Sequence, residues 1–310
     1  MPSIADLGRK VLGIPQTAFG LSAAHAYMIV IARHHSGRER LKECIALSPR
    51  LRGAIMSQPN QTYTPNILLS ALSEDDLELL KPHLTRVKLA RRQVIVTPNT
   101  PVEQVYFPEG GVVSIVSIMP QSGRIEAGIF GREGVSATCL LLGTDRSPHE
   151  TFVQVDGSTA LRIDTDQYLA AIQQSESLRM MLLRYVQTVL VQTAQSMATN
   201  ATQRVEARLA RWLLMCHDRV DGDEIALTHE FMGMMIAAER SGVTITLHIL
   251  EGAGMIRSTR GLVVIRDRAK LEDLAGDSYG VPEAEYRHLI GPFGPPSVVL
   301  PFEDRTNPPL

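Results

Sequence analysis

Basic side chains are concentrated in one stretch near the C-terminal end of the chain. From Arg240 to Lys270 there are six Lys and Arg residues and two Asp and Glu residues, whereas the whole chain of 310 residues has a formal charge of −2. A local excess of positive charge is typical of a surface that contacts phosphate groups. Arg240 adds a second chemistry, because a guanidinium can donate two parallel hydrogen bonds to a guanine. These residues predict contact with a nucleic acid.

A pair of short helices must position these side chains. The sequence from Leu227 to Leu250 predicts a first helix that Thr228 caps and a second helix with apolar residues at i, i+4 and i+7 from Val243. Gly233 has no side chain and therefore lets the two helices approach each other. The pattern indicates a helix-turn-helix, whose second helix lies in the major groove of DNA.

A wing follows the second helix in this interpretation. Gly252 and Gly254 end the helix, and residues 255–257 and 262–266 predict two strands that turn at Arg260-Gly261. An ordinary helical hairpin, which is common in proteins, is the alternative for the two helices alone. The wing and the local positive charge favour DNA binding over that alternative.

Composition limits the other classes of function. The chain is long enough for two domains, and no apolar run reaches the length that spans a membrane. Cys44, Cys139 and Cys216 are widely separated, which fits a reducing cytoplasm and argues against a zinc ribbon or an iron–sulfur cluster. No nucleophile, base and oxyanion donors converge in the sequence, and no loop is built to cradle phosphates, so we expect no enzyme.

The residues before the helix-turn-helix predict an antiparallel β-roll, also called a double-stranded jelly roll. Ser73 caps a short helix, and seven strand-like segments rich in β-branched residues follow, separated by turns such as Asp156-Gly157. One short helix, from about Val135 to Leu142, interrupts the strands. The predicted fold class is α+β, with a β-roll sensor domain, a long dimerisation helix and a winged helix-turn-helix domain.

A long helix is predicted from about Ser175 to Ala198. Its apolar stripe contains Leu178, Leu182, Tyr185, Val189 and Thr193, and Val186 and Leu190 broaden it. A long helix with a wide apolar face between two domains favours a dimer seam, and a two-fold protein matches a two-fold DNA site. The alternative is that this helix packs only on its own β-roll.

These elements divide the chain into five predicted segments. They are an N-terminal extension (1–60), the β-roll (61–174), the dimerisation helix (175–202), the winged helix-turn-helix domain (203–276) and a disordered proline-rich tail (277–310). The extension fits no element of this plan. We therefore expect it to be disordered or to come from an over-extended gene start, with translation beginning at Met56.

The order of elements resembles the Crp/Fnr family of bacterial transcription regulators. The resemblance covers about residues 66–274, runs without a gap from Leu227 to Ile256, and includes the stretch RVEARLARWLL from Arg204 to Leu214. It implies a roll like that of cyclic-nucleotide-binding domains and a homodimer that binds double-stranded DNA. It also implies RNA polymerase as a further partner.

By resemblance, the base-reading positions of the family fall on Arg240, Ser241 and Ile245. Arg240 matches the family, whereas Ser241 replaces a glutamate and Ile245 replaces an arginine of the best-known members. Ile245 is suited to contact a thymine methyl group, so the preferred DNA sequence should differ from theirs. The candidate phosphate contacts are Thr244, His248, Arg257 and Arg260. For each of these residues the alternative is an ordinary solvated side chain.

The effector site of the nucleotide-binding members falls between Gly131 and Glu150. The resemblance makes candidate effector-binding residues of Glu133, of Gly134 at a helix N-terminus that would receive an anion, and of Arg146, Ser147 and Thr193. The spacing to Arg146 is longer than in the family and Pro148 follows Ser147, which argues against authentic cyclic-nucleotide binding. Clustered cysteines and grouped histidines are missing from the roll, so a metal cage is not expected.

The sequence as a whole predicts a cytoplasmic, homodimeric, sequence-specific DNA-binding transcriptional regulator. No cofactor is certain, and the effector is left open as a small anion, another metabolite or nothing. The alternative is a ligand-sensing module that does not bind DNA and acts through protein partners. Acidic residues that offset the arginines of the C-terminal domain keep this alternative open, and they are Glu206, Asp218, Asp221, Asp223 and Glu224.

Overall fold

The structure, a computed structural model, describes residues 64–119, 123–155 and 159–294. The predictions for residues 1–60, and for the tail beyond residue 294, lie outside the described residues. No helix among the described residues is both long enough and apolar enough to cross a membrane.

The helices and strands of the described residues follow the predicted order. The strands are β1 (Thr85–Lys88), β2 (Val94–Val96), β3 (Gln104–Pro108), β4 (Val112–Met119), β5 (Gly123–Phe130), β6 (Glu150–Val155), β7 (Thr159–Asp164), β8 (Glu224–Ile225), β9 (Ile256–Thr259) and β10 (Leu262–Ile265). The α-helices are α1 (Ile67–Ser70), α2 (Glu74–Leu80), α3 (Thr165–Gln174), α4 (Glu176–Thr202), α5 (Val205–His217), α6 (His229–Met235), α7 (Arg240–Gly252), α8 (Arg268–Ala275) and α9 (Val281–Leu289).

Two antiparallel sheets form the β-roll. One sheet has the strand order β1-β7-β3 and the other has the order β2-β6-β4-β5. Val105 and Phe107 of β3 and Ile163 of β7 are buried in an apolar core that α3 and α4 close with Tyr168 and Leu182. The alternation of buried β-branched residues and turns therefore produces the predicted roll, and the α+β fold class is confirmed.

The long helix α4 uses its predicted apolar stripe for packing within the chain. Leu178, Leu182 and Tyr185, expected at a dimer seam, are buried against the rest of the same chain. Leu190 is 60% exposed and Met197, two turns further along the helix, is 71% exposed. The predicted seam is therefore wrong for Leu178, Leu182 and Tyr185, whereas Leu190 and Thr193 of the same stripe are exposed. The helix is apolar on two sides, and periodicity alone does not say which side the roll covers.

The C-terminal segment corrects the predicted disordered tail. Residues 281–289 form α9, which packs along α4, and Tyr286 and Phe293 are buried with their rings 5.1 Å apart. Pro282 stands in the first turn of α9, where a helix tolerates proline because the missing N–H has no partner there anyway. Proline content thus marked a helix start here and not a disordered segment.

The C-terminal domain packs on the four-stranded sheet of the roll and shares an apolar core with it. Val116 and Ile129 of the sheet belong to the same buried cluster as Trp212 of α5 and Met232 of α6. Trp212 Nε1 also donates a hydrogen bond to Glu126 Oε1 at 3.0 Å. Burial raises the pKa of the Glu126 carboxyl to about 8. This polar contact between the domains therefore joins two mostly neutral groups at pH 7.

The turn between α6 and α7 depends on a glycine, as the sequence predicts. Thr228 caps α6 by accepting a hydrogen bond from the N–H of Phe231. The Ala238 N–H donates to the Gly233 carbonyl at 2.9 Å, and a Cβ on Gly233 would lie 2.7 Å from the Ala238 carbonyl oxygen. A side chain at residue 233 would therefore push the turn away from α6.

We expect Gly233→Ala to destabilise the C-terminal domain, by roughly 1–3 kcal/mol, because the clashing atom belongs to the backbone. Gly242→Ala is the matched control, since Gly242 lies in α7 and a Cβ atom added there would have no neighbour within 4 Å. Alanine should there raise stability slightly through its helix propensity. Thermal unfolding followed by circular dichroism measures both variants. Shifts of the two midpoints in the same direction would contradict the tight-turn argument.

Candidate nucleic-acid interface

The helix α7 has one buried face and one exposed edge. Val243, Leu247 and Leu250 are buried in the core of the domain. Ser241, Ile245 and His248 are exposed on the opposite side of the helix, and Arg240 is exposed as the first residue of the helix. Ile245 is 62% exposed, which core packing does not explain. The edge predicted to read bases is therefore free of the protein interior.

Thr244 lies at the margin of this edge and is already hydrogen-bonded. Its hydroxyl donates to the Arg240 carbonyl at 3.0 Å and lies 3.0 Å from Nδ1 of His229, the first residue of α6. A hydroxyl with these two contacts has little capacity left for a phosphate. Sequence analysis missed His229, because the contact joins two helices and leaves no periodic signal.

The wing is present, with one strand more than predicted. β9 and β10 pair from Thr259↔Leu262, so that Arg260 and Gly261 form the turn, with a φ of +80° at Gly261. The short strand β8 pairs with β10 through Ile225↔Val263, and its two residues are too few to give a sequence pattern. Arg257 and Arg260 are both exposed. The wing therefore presents two guanidinium groups beside α7.

Glu133, the first candidate effector-binding residue, is engaged within the protein. Its Oε1 lies 2.7 Å from Nη2 of Arg219, which follows α5, and both side chains are almost fully buried. Its Oε2 accepts a hydrogen bond from the Gly131 N–H at 3.0 Å. The carboxylate thus joins the roll to the C-terminal domain. The prediction that Glu133 is available to a ribose hydroxyl does not hold in this arrangement.

Gly134 does not begin a helix that would receive an anion. The predicted helix over 135–142 is reduced to a 3-10 turn, Thr138–Leu142, which follows Ala137 in a left-handed conformation with a φ of +56°. The Gly134 N–H donates instead to the Gly131 carbonyl at 3.0 Å. A Cβ at residue 134 would lie 2.2 Å from Oη of Tyr185, so α4 closely covers this position. The predicted anion site at Gly134 is therefore wrong.

The remaining effector candidates lie apart from Glu133. Arg146 is exposed and ion-paired with Asp145 at 2.8 Å. The Ser147 hydroxyl accepts from the His149 N–H at 3.1 Å, and the exposed Thr193 hydroxyl donates to the carbonyl one turn earlier in α4. Within the described ranges, no hydrogen bond or ion pair joins these three residues to Glu133. The structure therefore does not assemble the five candidates into one site.

The cavity beside Glu133 is too small for a nucleotide. Its volume is about 20 Å³, and it is lined by Ile129, Tyr185, Gln192, Arg219, Tyr286 and Phe293 among others. A space of this size holds a single water molecule. Among the described residues, no group of three or more His, Cys, Asp or Glu side chains is placed to hold a metal ion.

The C-terminal domain matches a known family. Residues 207–274 match the family model of the Crp-like helix-turn-helix domain, which spans α5, the helix-turn-helix, the wing and most of α8. No curated protein matches the sequence. The family model thus covers the same segment that sequence analysis assigned to DNA binding.

Solved structures share the fold of the larger part of the chain. FixK2 from Bradyrhizobium japonicum is 18% identical, with 62% of this chain and 98% of that chain covered at a TM-score of 0.54. A CRP family transcriptional regulator from Thermus thermophilus is 20% identical, with 62% of this chain and 96% of that chain covered at a TM-score of 0.52. Residues 207–274 therefore form a Crp-like helix-turn-helix domain, in a chain that has the fold of the Crp/Fnr transcriptional regulators.

Proposed function

We propose that this protein is a homodimeric transcriptional regulator that binds double-stranded DNA in a sequence-specific way. The exposed edge of α7 is the observation that carries the proposal, because its opposite face is buried and the edge is free to enter a major groove. The match of residues 207–274 to the Crp-like helix-turn-helix domain supports the same conclusion. The alternative, a sensing module that acts only through protein partners, leaves this exposed edge unexplained.

The proposed contacts divide into base reading and backbone positioning. Arg240, Ser241 and Ile245 face the bases, with Arg240 donating to a guanine and Ile245 packing on a thymine methyl group. The exposed His248, Arg257 and Arg260 contact phosphates. We keep Thr244 as a weaker phosphate contact, since its hydroxyl already bonds within the protein.

We also propose that the DNA-bound protein acts on RNA polymerase. Because the protein must reach the chromosome, we expect it in the cytoplasm. We assign no catalytic role. We also propose that the roll does not bind a cyclic nucleotide in the manner of the family, because Glu133 is paired with Arg219 and the adjacent cavity admits only a water molecule. Any effector of the roll would therefore be a different small molecule.

A dimer is proposed through the exposed face of α4. Leu190 and Met197 lie on one side of this helix, and they are 60% and 71% exposed. They are seven residues apart, which places them on one line along the helix. Two such helices packed together would bury these side chains and set two copies of α7 on adjacent turns of DNA.

We expect Arg240→Ala to lower affinity for DNA by about 5- to 150-fold per half-site, because the bidentate contact to guanine contributes about 1–3 kcal/mol. Fluorescence anisotropy measures the binding, on a duplex that the wild-type protein has selected from a random library. Arg179→Ala is the matched control, since Arg179 is exposed at the start of α4 and paired with Glu176. A wild-type protein that selects no DNA, or an Arg240→Ala variant that binds equally well, would refute the proposal.

The role of Ile245 predicts a dependence on single methyl groups. Replacing thymine by deoxyuridine removes only the methyl group, and at the contacted position we expect a loss of about fourfold, or about 0.8 kcal/mol. Ile245→Ala should weaken binding to the thymine duplex and abolish the difference between thymine and deoxyuridine. The complete cycle of two proteins and two duplexes measures this coupling. Equal deoxyuridine effects with both proteins at every position would show that Ile245 touches no thymine methyl group.

We expect Leu190→Glu to weaken dimerisation by at least tenfold, because two carboxylates would be buried at the seam. Sedimentation velocity at several concentrations measures the equilibrium. Thr202→Glu is the control on the same helix, since Thr202 is exposed, its hydroxyl donates to the Ala198 carbonyl of its own helix, and it lies roughly 120° around the helix from Leu190. Dissociation by both substitutions, or by neither, would argue against a seam through Leu190.

A further inference from the structure

We propose that Arg91 and Arg92, in the turn between β1 and β2 of the roll, bind backbone phosphates of the DNA that flanks the sequence read by α7. The inference rests on the proposed DNA binding and extends it, because it gives the roll a direct part in the interface. The ligand chemistry is that of a duplex phosphate backbone, bound without regard to base sequence.

Both arginines lie against the first turn of the helix-turn-helix. Their guanidinium carbons are 5.9 Å and 5.5 Å from the centre of the Phe231 ring, on the face of α6 that points towards the roll. Nη2 of Arg91 also donates a hydrogen bond to the Ala226 carbonyl at 3.3 Å. The roll turn is therefore held against the segment that connects β8 with α6.

The strand register indicates that this segment lies towards the DNA. β10 begins at the tip of the wing, and β8 pairs antiparallel to it through Ile225↔Val263. β8 therefore runs towards the wing tip, and Ala226 follows it in that direction. His229, at the start of α6, then contacts Thr244 on the margin of the base-reading edge. The turn that carries Arg91 and Arg92 is thus placed at the same end of the domain as the wing.

The charge of this turn is not neutralised within the described residues. Several other arginines of the roll are paired, such as Arg86 with Glu109 and Arg124 with Glu150, both at 2.8 Å. Neither Arg91 nor Arg92 forms an ion pair with a carboxylate of the described chain. Glu230, an exposed acidic residue of α6, is ion-paired to neither of them. Arg92 is exposed and Arg91 is half-buried, and a guanidinium without a carboxylate partner is suited to bind a phosphate.

The backbone conformation of Arg92 is a second, independent indication that its side chain has a function. Its φ is +65°, in the left-handed region, and its N–H donates to the Val153 carbonyl at 2.8 Å, which fixes this conformation. Glycine adopts such a conformation without the steric cost of a Cβ atom. The turn alone therefore favours glycine at residue 92, and the guanidinium is present at a cost in stability.

This strain makes Arg92→Gly a sharp test variant. The substitution removes the charge and relieves the backbone, so the midpoint of thermal unfolding should be unchanged or higher. Affinity for a long duplex should nevertheless fall roughly tenfold. The slope of log affinity against log salt concentration should become shallower by about 0.9 for each phosphate that the variant no longer binds, hence about 1.8 for a dimer. Arg92→Lys keeps the charge and should recover most of the affinity.

Duplex length separates a phosphate contact from a structural effect. On a duplex trimmed to the two base-read half-sites, Arg92→Gly and wild type should bind equally, because the flanking phosphates are gone. On a duplex with flanks on both sides, only wild type should gain affinity. Lys81→Ala is the matched control, since Lys81 is an exposed basic residue just before β1 that is paired with Glu78. It should respond to the flanks as wild type does.

Three outcomes would overturn the inference. If Arg92→Gly keeps the wild-type affinity and salt slope while Arg240→Ala abolishes binding, the roll makes no phosphate contact and the proposed regulator stands. If Arg92→Gly binds less tightly on short and long duplexes alike, the arginine only holds α6 in place. If wild type binds neither duplex, the proposed function itself fails, and the inference fails with it.

Discussion

The free edge of α7 depends on the burial of its opposite face. Val243 and Leu247 lie in a cluster that also contains Val112, Ile129 and Phe152 from the sheet of the roll. Each buried aliphatic side chain of this kind contributes about 1.5–3 kcal/mol relative to its exposed state. A helix-turn-helix alone has too little apolar surface to hold an amphipathic helix rigidly. α5, α6 and β9 supply the missing surface, and α6 in turn packs on β5 of the roll, so the orientation of the base-reading edge depends in part on a domain that reads no bases.

A buried ion pair adds direction to this apolar contact. Arg219 and Glu133 exclude water from each other, and each has a further partner, the Met215 carbonyl for Arg219 and the Gly131 N–H for Glu133. Two buried charges give little net stability, but separating them leaves both uncompensated. An apolar surface alone would allow the two domains to slide. The ion pair and its hydrogen bonds form at only one relative position of the two domains. This fixes the position of α7 with respect to the roll.

The sequence predicted those features that are encoded within one turn of chain. Gly233, the cap at Thr228 and the edge from Arg240 to His248 follow from local spacing, and the structure has each of them where it was expected. The features that sequence analysis missed depend on contacts between distant residues. The burial of Leu178 and not Leu190 is decided by where the roll lies on α4.

The candidate effector-binding residues were also mispredicted because their partners are distant in the sequence. The residue types at Glu133 and Gly134 fit a nucleotide site, yet their partners decide otherwise. Arg219 follows Glu133 by 86 residues, and Tyr185 covers Gly134 from another helix. No window of sequence contains such a pair. A motif therefore predicts a binding site only as long as nothing else in the chain occupies its groups.

The position of Arg219 determines how any effector of the roll would act. A ligand that takes the Glu133 carboxylate must release Arg219, whose guanidinium lies 5.0 Å from the Phe293 ring and bonds the last turn of α5. The Tyr286 hydroxyl, which donates to the Glu133 carbonyl at 2.7 Å, would move as well. Such a ligand can shift the protein only by binding the released arrangement more tightly than the paired one. Because α5 shares its core with α7, a change at this ion pair would be transmitted through α5 to the DNA-reading edge.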